Sequence, residues 1–362
     1  MRQMSNNEYA FMVGELSGLK GSRLEKIYEL APLRFRLRFH QKGMEAVDVV
    51  CEPPIRLHAT RLIEPAPSTP SAFCMFLRKR LRGAVVEGIE QHDLDRIVVF
   101  RLKAGGESYA LVFELFGDGN VVLVDDKGLI EGVWRSEEWR ERKLRKGEQY
   151  VFPPSPRLNP FELTPALLSQ LTSEKPIITV LAASVNLGAI YLEDALLKAG
   201  ISPKKSASEL SEGDWANICN NLRALSTNLS PFVFYKDGKP ADYALVRLAK
   251  YAELEARPFP SFSAALDAFY QPQAAGPPPE VVAARAKLER QLAEQLAAAA
   301  ELEAKAAEAK AAAEWIHAHF TEVEELLELA RERKKKKKEF EAKLAALHAT
   351  FNEKEGKITL DA

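Results

Sequence analysis

A chain of 362 residues is long enough for two or three domains and a sizeable core, and 50 Lys and Arg against 51 Asp and Glu give a formal net charge of -1. That balance argues neither for nor against a polyanionic partner, so local distribution must decide. Cys51, Cys74 and Cys219 cannot make a two-bridge framework or a four-ligand zinc site, which fits a reduced cytoplasmic protein. With no apolar run of signal-peptide length at the start and no window near the ~20 apolar residues that span a bilayer, secretion and membrane insertion are not expected.

Asn6 or Asn7 is placed to cap a first helix over residues 8–19, with Phe11, Met12 and Leu16 available for its buried face. Residues 33–40 alternate strictly. Strand side chains alternate faces, so Leu33, Phe35, Leu37 and Phe39 point one way and Arg34, Arg36 and Arg38 the other. Gln41, Lys42 and Gly43 turn the chain into a strand over 44–51, and 56–60 is another short extended piece. A proline-spaced loop over 65–70 leads to a basic helix over 72–81. Phe73, Met75, Phe76, Leu77 and Leu81 fill one side of it, while Arg78, Lys79, Arg80 and Arg82 crowd the last turn, where cations suit the negative helix end. Gly83 reads as its left-handed C-terminal cap. Residues 84–89 resume as extended chain, and Asp95-Arg96 opens the next strand. Segments 96–103, 108–116 and 120–125, separated by glycine turns, read as an antiparallel meander.

Residues 1–155 therefore form one α+β, antiparallel β-rich domain. Residues 156–230 change to helical patterning, and 185–200 has the outline of a helix-hairpin-helix whose backbone amides can meet a phosphate. Residues 231–275 hold a short hairpin and a short capped helix. From 276 to 350 the composition collapses to Ala, Glu, Lys, Leu and Arg: a long helical coiled-coil arm with a plausible fold-back near 317–321. Its Arg331-to-Lys338 run is either a solvated face or a phosphate contact. Residues 351–362 begin a further segment.

No metal-ligand spacing, P-loop, dinucleotide fingerprint or nucleophile elbow is present, so no cofactor and no conventional active site is expected. What remains is cationic and planar: Asp95-Arg96, the Arg34/Arg36/Arg38 face, His58, the Arg78/Lys79/Arg80 helix, and Trp134-Arg135. Such groups suit phosphates and bases.

Residues 19–28, 56–60, 70–83, 94–98 and 114–125, in that order and spacing, resemble the NFACT-N domain of the NEMF/RqcH family of ribosome-associated quality-control factors. The likeness continues through the hairpin region, residues 263–270 and the arm. It implies binding to large ribosomal subunits blocked by peptidyl-tRNA, contact with rRNA, recruitment of a charged tRNA, and message-independent tailing of the stalled peptide, commonly with alanine. Peptidyl transfer would belong to the ribosome, and the arm would reach other quality-control factors. By the same resemblance Asp95 and Arg96 match the family's tRNA-engaging Asp-Arg motif, and Glu8 stands where the family has an acidic residue of the first helix. Family members continue into a further α/β domain after the point where this sequence stops. The NFACT-N fold is similar to that of the formamidopyrimidine-type DNA glycosylases, which supplies an alternative glycosylase/lyase reading. Met1-Arg2-Gln3-Met4 offers neither the N-terminal proline nor the adjacent glutamate of that chemistry. An adhesin, after an old label for bacterial relatives, is a third reading.

Overall fold

A computed structural model describes residues 2–139, 142–225, 229–271 and 279–360. Two compact units divide the chain, Met1–Gln273 and Ala274–Ala362.

The first unit begins with α1 (Asn6–Leu16), followed by a 3-10 turn, Ser17–Leu19. Ser5, not an asparagine, precedes the helix, and its N–H donates to Glu8 at 2.8 Å. The asparagine amides are engaged elsewhere, as described below. Nine antiparallel strands follow in one sheet: β1 (Arg23–Ala31), β2 (Arg34–His40), β3 (Val47–Glu52), β4 (Arg56–Thr60), then, after α2 (Ala72–Arg80), β5 (Val85–Gln91), β6 (Ile97–Ala104), β7 (Glu107–Glu114), β8 (Asn120–Val124) and β9 (Ile130–Val133). Their order is β4-β3-β2-β1-β5-β6-β7-β8-β9. β1 meets β5 at one pair, Arg23 with Val85, so the sheet is nearly split there.

β1 escaped the sequence reading because register shifts between Leu24 and Lys26 and between Glu29 and Ala31 break its two-residue period. Leu33 lies in the β1–β2 turn at φ 59°, outside the strand it was expected to begin. The expected meander is present as β6–β7–β8, and it is apolar on both faces. Val98, Phe100 and Leu102 join the main core; Ile97 and Val99 join a second one with Val112, Val122 and Tyr150. A fully buried phenylalanine such as Phe100 contributes about 1.5–3 kcal/mol by leaving water.

Ser71 caps α2, its hydroxyl accepting from Cys74 N–H at 3.1 Å, and Gly83 takes the expected left-handed conformation at φ 67°. Gly132 lets α2 approach β9: a Cβ there would sit 2.4 Å from the Phe76 ring. After a two-residue ladder of β10 (Glu137–Glu138) and β11 (Lys143–Leu144) come α3 (Pro165–Ser169), α4 (Ile177–Ser184), α5 (Ala189–Lys198) and α6 (Glu212–Ala224). The expected hairpin is β12 (Phe232–Lys236) with β13 (Lys239–Ala244), extended by β14 (Glu255–Pro258), and the expected capped helix is α7 (Phe262–Tyr270). Leu181, Tyr191, Trp215 and Phe262 share one core with Phe35 and Phe100, so a single main core joins the sheet to α4–α7.

The second unit carries α8 (Pro279–Ala318), α9 (Phe320–Arg331), α10 (Lys337–Ala346) and a hairpin of β15 (Ala349–Asn352) with β16 (Lys357–Leu360). The break at His319 falls inside the anticipated fold-back. A second break covers residues 332–336, amid the lysine run, where like charges three and four apart oppose helix. The helix therefore does not extend to 350. Phe340 and Leu347 instead bury against Leu326, with Phe351 and Ile358 packed on them. Leu288, Leu292, Leu296 and Leu302 of α8 are exposed.

Candidate nucleic-acid interface

Asp95 and Arg96 lie in the turn between β5 and β6 rather than in the strand. Asp93 and Leu94 are consecutive left-handed residues, at φ 43° and 54°, and for leucine that costs on the order of 1 kcal/mol. Asparagine amides offset the cost. Asn186 Nδ2 donates to the Asp93 carbonyl at 3.2 Å and the Leu94 carbonyl at 2.9 Å, while Asn6 Nδ2 reaches Leu94 O at 3.1 Å and Asn186 Oδ1. Gln91 Nε2 bridges Asn6 O and Asp95 O, each at 2.8 Å. The turn is thus clamped between the start of α1 and the α4–α5 hairpin.

That clamp fixes the two candidate side chains in different ways. Asp95 Oδ1 accepts the Arg96 N–H at 2.7 Å, and Arg96 Nη1 donates to Gln3 Oε1 at 2.9 Å. Neither forms an ion pair among the described residues, so the pair is not a structural salt bridge. A guanidinium carries five N–H donors, and the remainder of the fork is available to a planar, anionic or carbonyl-bearing ligand.

The other sequence candidates are placed differently. Glu8 is fully buried, paired with Arg2 and accepting from Tyr191 Oη at 2.8 Å. Arg34, Arg36 and Arg38 do not form a solvated face. Arg36 is 5% exposed, its Nε 3.5 Å from Asp48, with Glu64 O accepting at 2.9 Å and the Tyr28 ring beneath it. Arg38 shares Asp48 at 3.3 Å, and Arg34 pairs with Glu64 at 2.9 Å. Acids on β3 and in the loop after β4 convert the row into an internal ladder. On α2, Arg78 donates to Ile27 O at 2.8 Å, Arg80 pairs with Glu131 at 2.7 Å, and Lys79 is exposed. Arg135 pairs with Glu137 at 2.5 Å and with Asp118 at 3.7 Å. Trp134 packs edge-on to Phe35 and Phe73.

His58 is also internal. Its Nε2 lies 3.3 Å from Asp267 Oδ1, its ring stacks on Tyr270, and Nδ1 has no partner among the described residues. Burial pushes the ring below its ordinary 6.5 despite the Asp267 bond, since the charged ring would be buried with its Nδ1–H unpartnered among the described residues and beside the Arg56 charge. The folded state therefore binds this proton less well than the unfolded chain. The resulting stabilisation is present above 6.5 and declines as pH falls below that value towards the lowered folded one. Burial raises the Asp267 carboxyl, yet His58, the Arg61 N–H and Thr60 together hold it below 3.8, so its own contribution is lost only in a more acidic window. Urea unfolding at about pH 7.5 and 5.5 should show the loss in the parent protein and a reduced one in His58→Gln.

In the hairpin before α5 the Asn186 and Gly188 amides are bonded within the fold. Asn186 N–H donates to Leu158 O at 2.9 Å and Gly188 N–H to Asn7 Oδ1 at 3.4 Å, and a Cβ on Gly188 would sit 2.5 Å from Ser5. Its role is to hold the Asp95 turn through Asn186. Sequence reasoning missed Asn6, Gln91 and Asn186; the one available signal was an amide residue inside each loop or helix start. Among the described residues no cluster of three or more His, Cys, Asp or Glu could hold a metal, and no helix is long and apolar enough to cross a membrane.

This fold is shared with the fibrinogen binding protein from Staphylococcus aureus, which aligns over 74% of this chain and 98% of its own at a TM-score of 0.62 and 19% identity. The chain belongs to the NFACT family, matching its N-terminal and middle domains over residues 9–362. Its relatives are named as ribosome quality control proteins. The archaeal Rqc2 homolog aRqcH of Methanocaldococcus jannaschii is 26% identical over 359 residues, 92% of this chain and 53% of that protein. Ribosome quality control complex subunit 2 of Saccharomyces cerevisiae is 36% identical over 128 residues, 35% of this chain and 12% of that protein. The chain thus spans about half the length of the archaeal relative. Fpg from Lactococcus lactis aligns over 60% of the chain at a TM-score of 0.32 and 14% identity, which carries no argument about chemistry.

Proposed function

We propose that this chain binds tRNA through the Asp95-Arg96 turn on a large ribosomal subunit obstructed by peptidyl-tRNA, and supports message-independent tailing of the stalled peptide, with alanine as the added residue. The ribosome performs peptidyl transfer, and the chain positions the tRNA without an active site of its own. The observation that carries the reading is the clamped turn: an aspartate and an arginine free of ion pairs among the described residues, displayed on a strained loop. Strain held by a polar clamp commonly marks a functional position. Arginine can fork onto a phosphate or a base edge, and aspartate can accept from a base amine. In this reading the protein works in the cytoplasm, touches rRNA, and its α-helical arm meets other quality-control factors.

In-cell crosslinking to RNA, comparing the parent with the Asp95→Ala/Arg96→Ala variant, tests it. Enrichment of large-subunit rRNA and a narrow set of tRNAs is expected, with the tRNA lost from the variant. Equal tRNA recovery from a folded variant would overturn the assignment.

A further inference from the structure

A cavity of about 1030 Å³ opens beside the same turn, lined by Phe116, Trp139, Phe152 and Pro153, with Arg135 and Arg142 at its polar side. It adjoins the turn, although neither Asp95 nor Arg96 is among its lining residues. Leu115 N–H donates to Arg96 O at 2.7 Å, and His92, which accepts the Asp95 N–H at 2.7 Å, stacks on Phe152 with ring centroids 3.7 Å apart.

Its described lining carries four carboxylates, Glu114, Asp118, Glu137 and Glu138, against two guanidiniums, and each is in an ion pair, Glu138 with Lys143 and Arg145. Arg142 is held by Glu114 and by Val151 O at 2.6 Å, and Arg135 pairs with Glu137 and Asp118. Glu114 also accepts from Tyr150 Oη at 2.8 Å. Burial and that carboxylate raise the Tyr150 hydroxyl well above its usual range, so it remains a donor. Among the described residues the two arginines of the wall are therefore already paired and present no free charge to an anion. Apolar surface remains open: Trp139 is 45% exposed and Val151 48%, although the Arg142 guanidinium steadies the indole at 5.5 Å from its ring. A neutral planar ring fits such a site better than a phosphate does, because stacking replaces exposed indole surface without desolvating an unpaired charge.

We propose that this cavity takes one unstacked base of the RNA strand gripped at Asp95-Arg96, laid against Trp139. The proposal rests on the RNA-binding reading above and adds to it a subsite and its chemistry: a nucleobase, recognised by its ring face. The backbone of the same strand stays at the rim, within reach of Arg96.

Titration of the full chain with bulk tRNA and with an unstructured single-stranded RNA, followed by tryptophan fluorescence and by filter binding, tests the proposal. Stacking on Trp139 should quench emission. Trp139→Leu, which keeps an apolar side chain but removes the aromatic face, should weaken binding about ten-fold and lose the quench, while Trp139→Phe should hold affinity within about two-fold. Circular dichroism of both variants checks folding, which the exposed position of Trp139 should preserve. If Trp139→Leu binds like the parent while Asp95→Ala/Arg96→Ala still loses RNA, the base subsite is overturned and the RNA reading stands. If the parent binds neither RNA, both fall. Quenching by an apolar peptide and not by RNA would assign the cavity to a protein side chain and overturn the subsite.

Discussion

Replacing Asp95 and Arg96 together by alanine should lower tRNA affinity by roughly ten- to a hundred-fold, the size expected for losing one or two charge-assisted hydrogen bonds, and should leave the fold intact. The second half follows from how the turn is held. Its backbone is fixed by Asn6, Gln91 and Asn186 through carbonyl groups that alanine retains. The double variant loses the Asp95 bonds to the Arg96 N–H and, at 3.5 Å, to Asn6 Nδ2, together with the Arg96 bond to Gln3, in a half-buried turn. A thermal midpoint within about 2 °C of the parent is the expected companion result. A variant that binds tRNA normally, measured by filter binding at fixed salt, would show that the turn is not the contact. Asn186→Ala separates positioning from contact. It removes two supports of the left-handed pair while leaving both candidate side chains in place, so binding should fall by less than in the double variant.

Glu8→Ala should behave in the opposite way, with a loss of stability of about 3–5 kcal/mol, the cost of breaking a buried ion pair from one side. Three donors converge on this carboxylate: the Arg2 guanidinium, the Ser5 N–H at 2.8 Å and Tyr191 Oη at 2.8 Å. Arg2 would keep Asp242 at 2.8 Å and the Tyr243 ring at 4.1 Å, so its charge is not wholly stranded. Tyr191 also accepts the Leu245 N–H at 2.9 Å, which ties the start of α1 to the end of β13 through one hydroxyl. Burial, then the nearby Glu8 charge, raises that hydroxyl far above its usual range, so it stays a donor across neutral pH. Urea unfolding measures the loss, and Glu8→Gln should recover part of it by keeping an acceptor for Tyr191. Unchanged stability in Glu8→Ala together with lost tRNA binding would instead make Glu8 a direct contact.

The two substitutions illustrate what a linear reading can and cannot reach. The Asp95-Arg96 pair was legible as charged residues just before the apolar run that starts at Ile97, and its role only through the resemblance to the family's Asp-Arg motif. Glu8 was legible only as an acidic residue early in a helix, because the signature of a capping box starts with Ser5 and says nothing of Arg2 or Tyr191. Arg34, Arg36 and Arg38 were visible as a row on one strand face. Their partners Asp48 and Glu64 lie beyond turns, and register decides that Asp48 stands opposite Arg38. The cavity beside the turn was not legible, since Phe116, Trp139 and Phe152 lie on separate segments with no shared period.

The sequence by itself determined the α+β class, the β6–β7–β8 meander, the basic α2 with its glycine stop, the β12–β13 hairpin, the capped α7 and the Ala-rich α8. All rest on local patterns: two- or three-and-a-half-residue periodicity, capping residues and glycines at positive φ. Tertiary structure alone decided which charges are available. Arg36 and His58 look like Arg96 in a linear reading, yet two are enclosed with carboxylates and one is left with Gln3. The physical reason is that burial and ion pairing depend on groups brought together across many residues of chain, whereas helix and strand formation depend on neighbours within a turn or two.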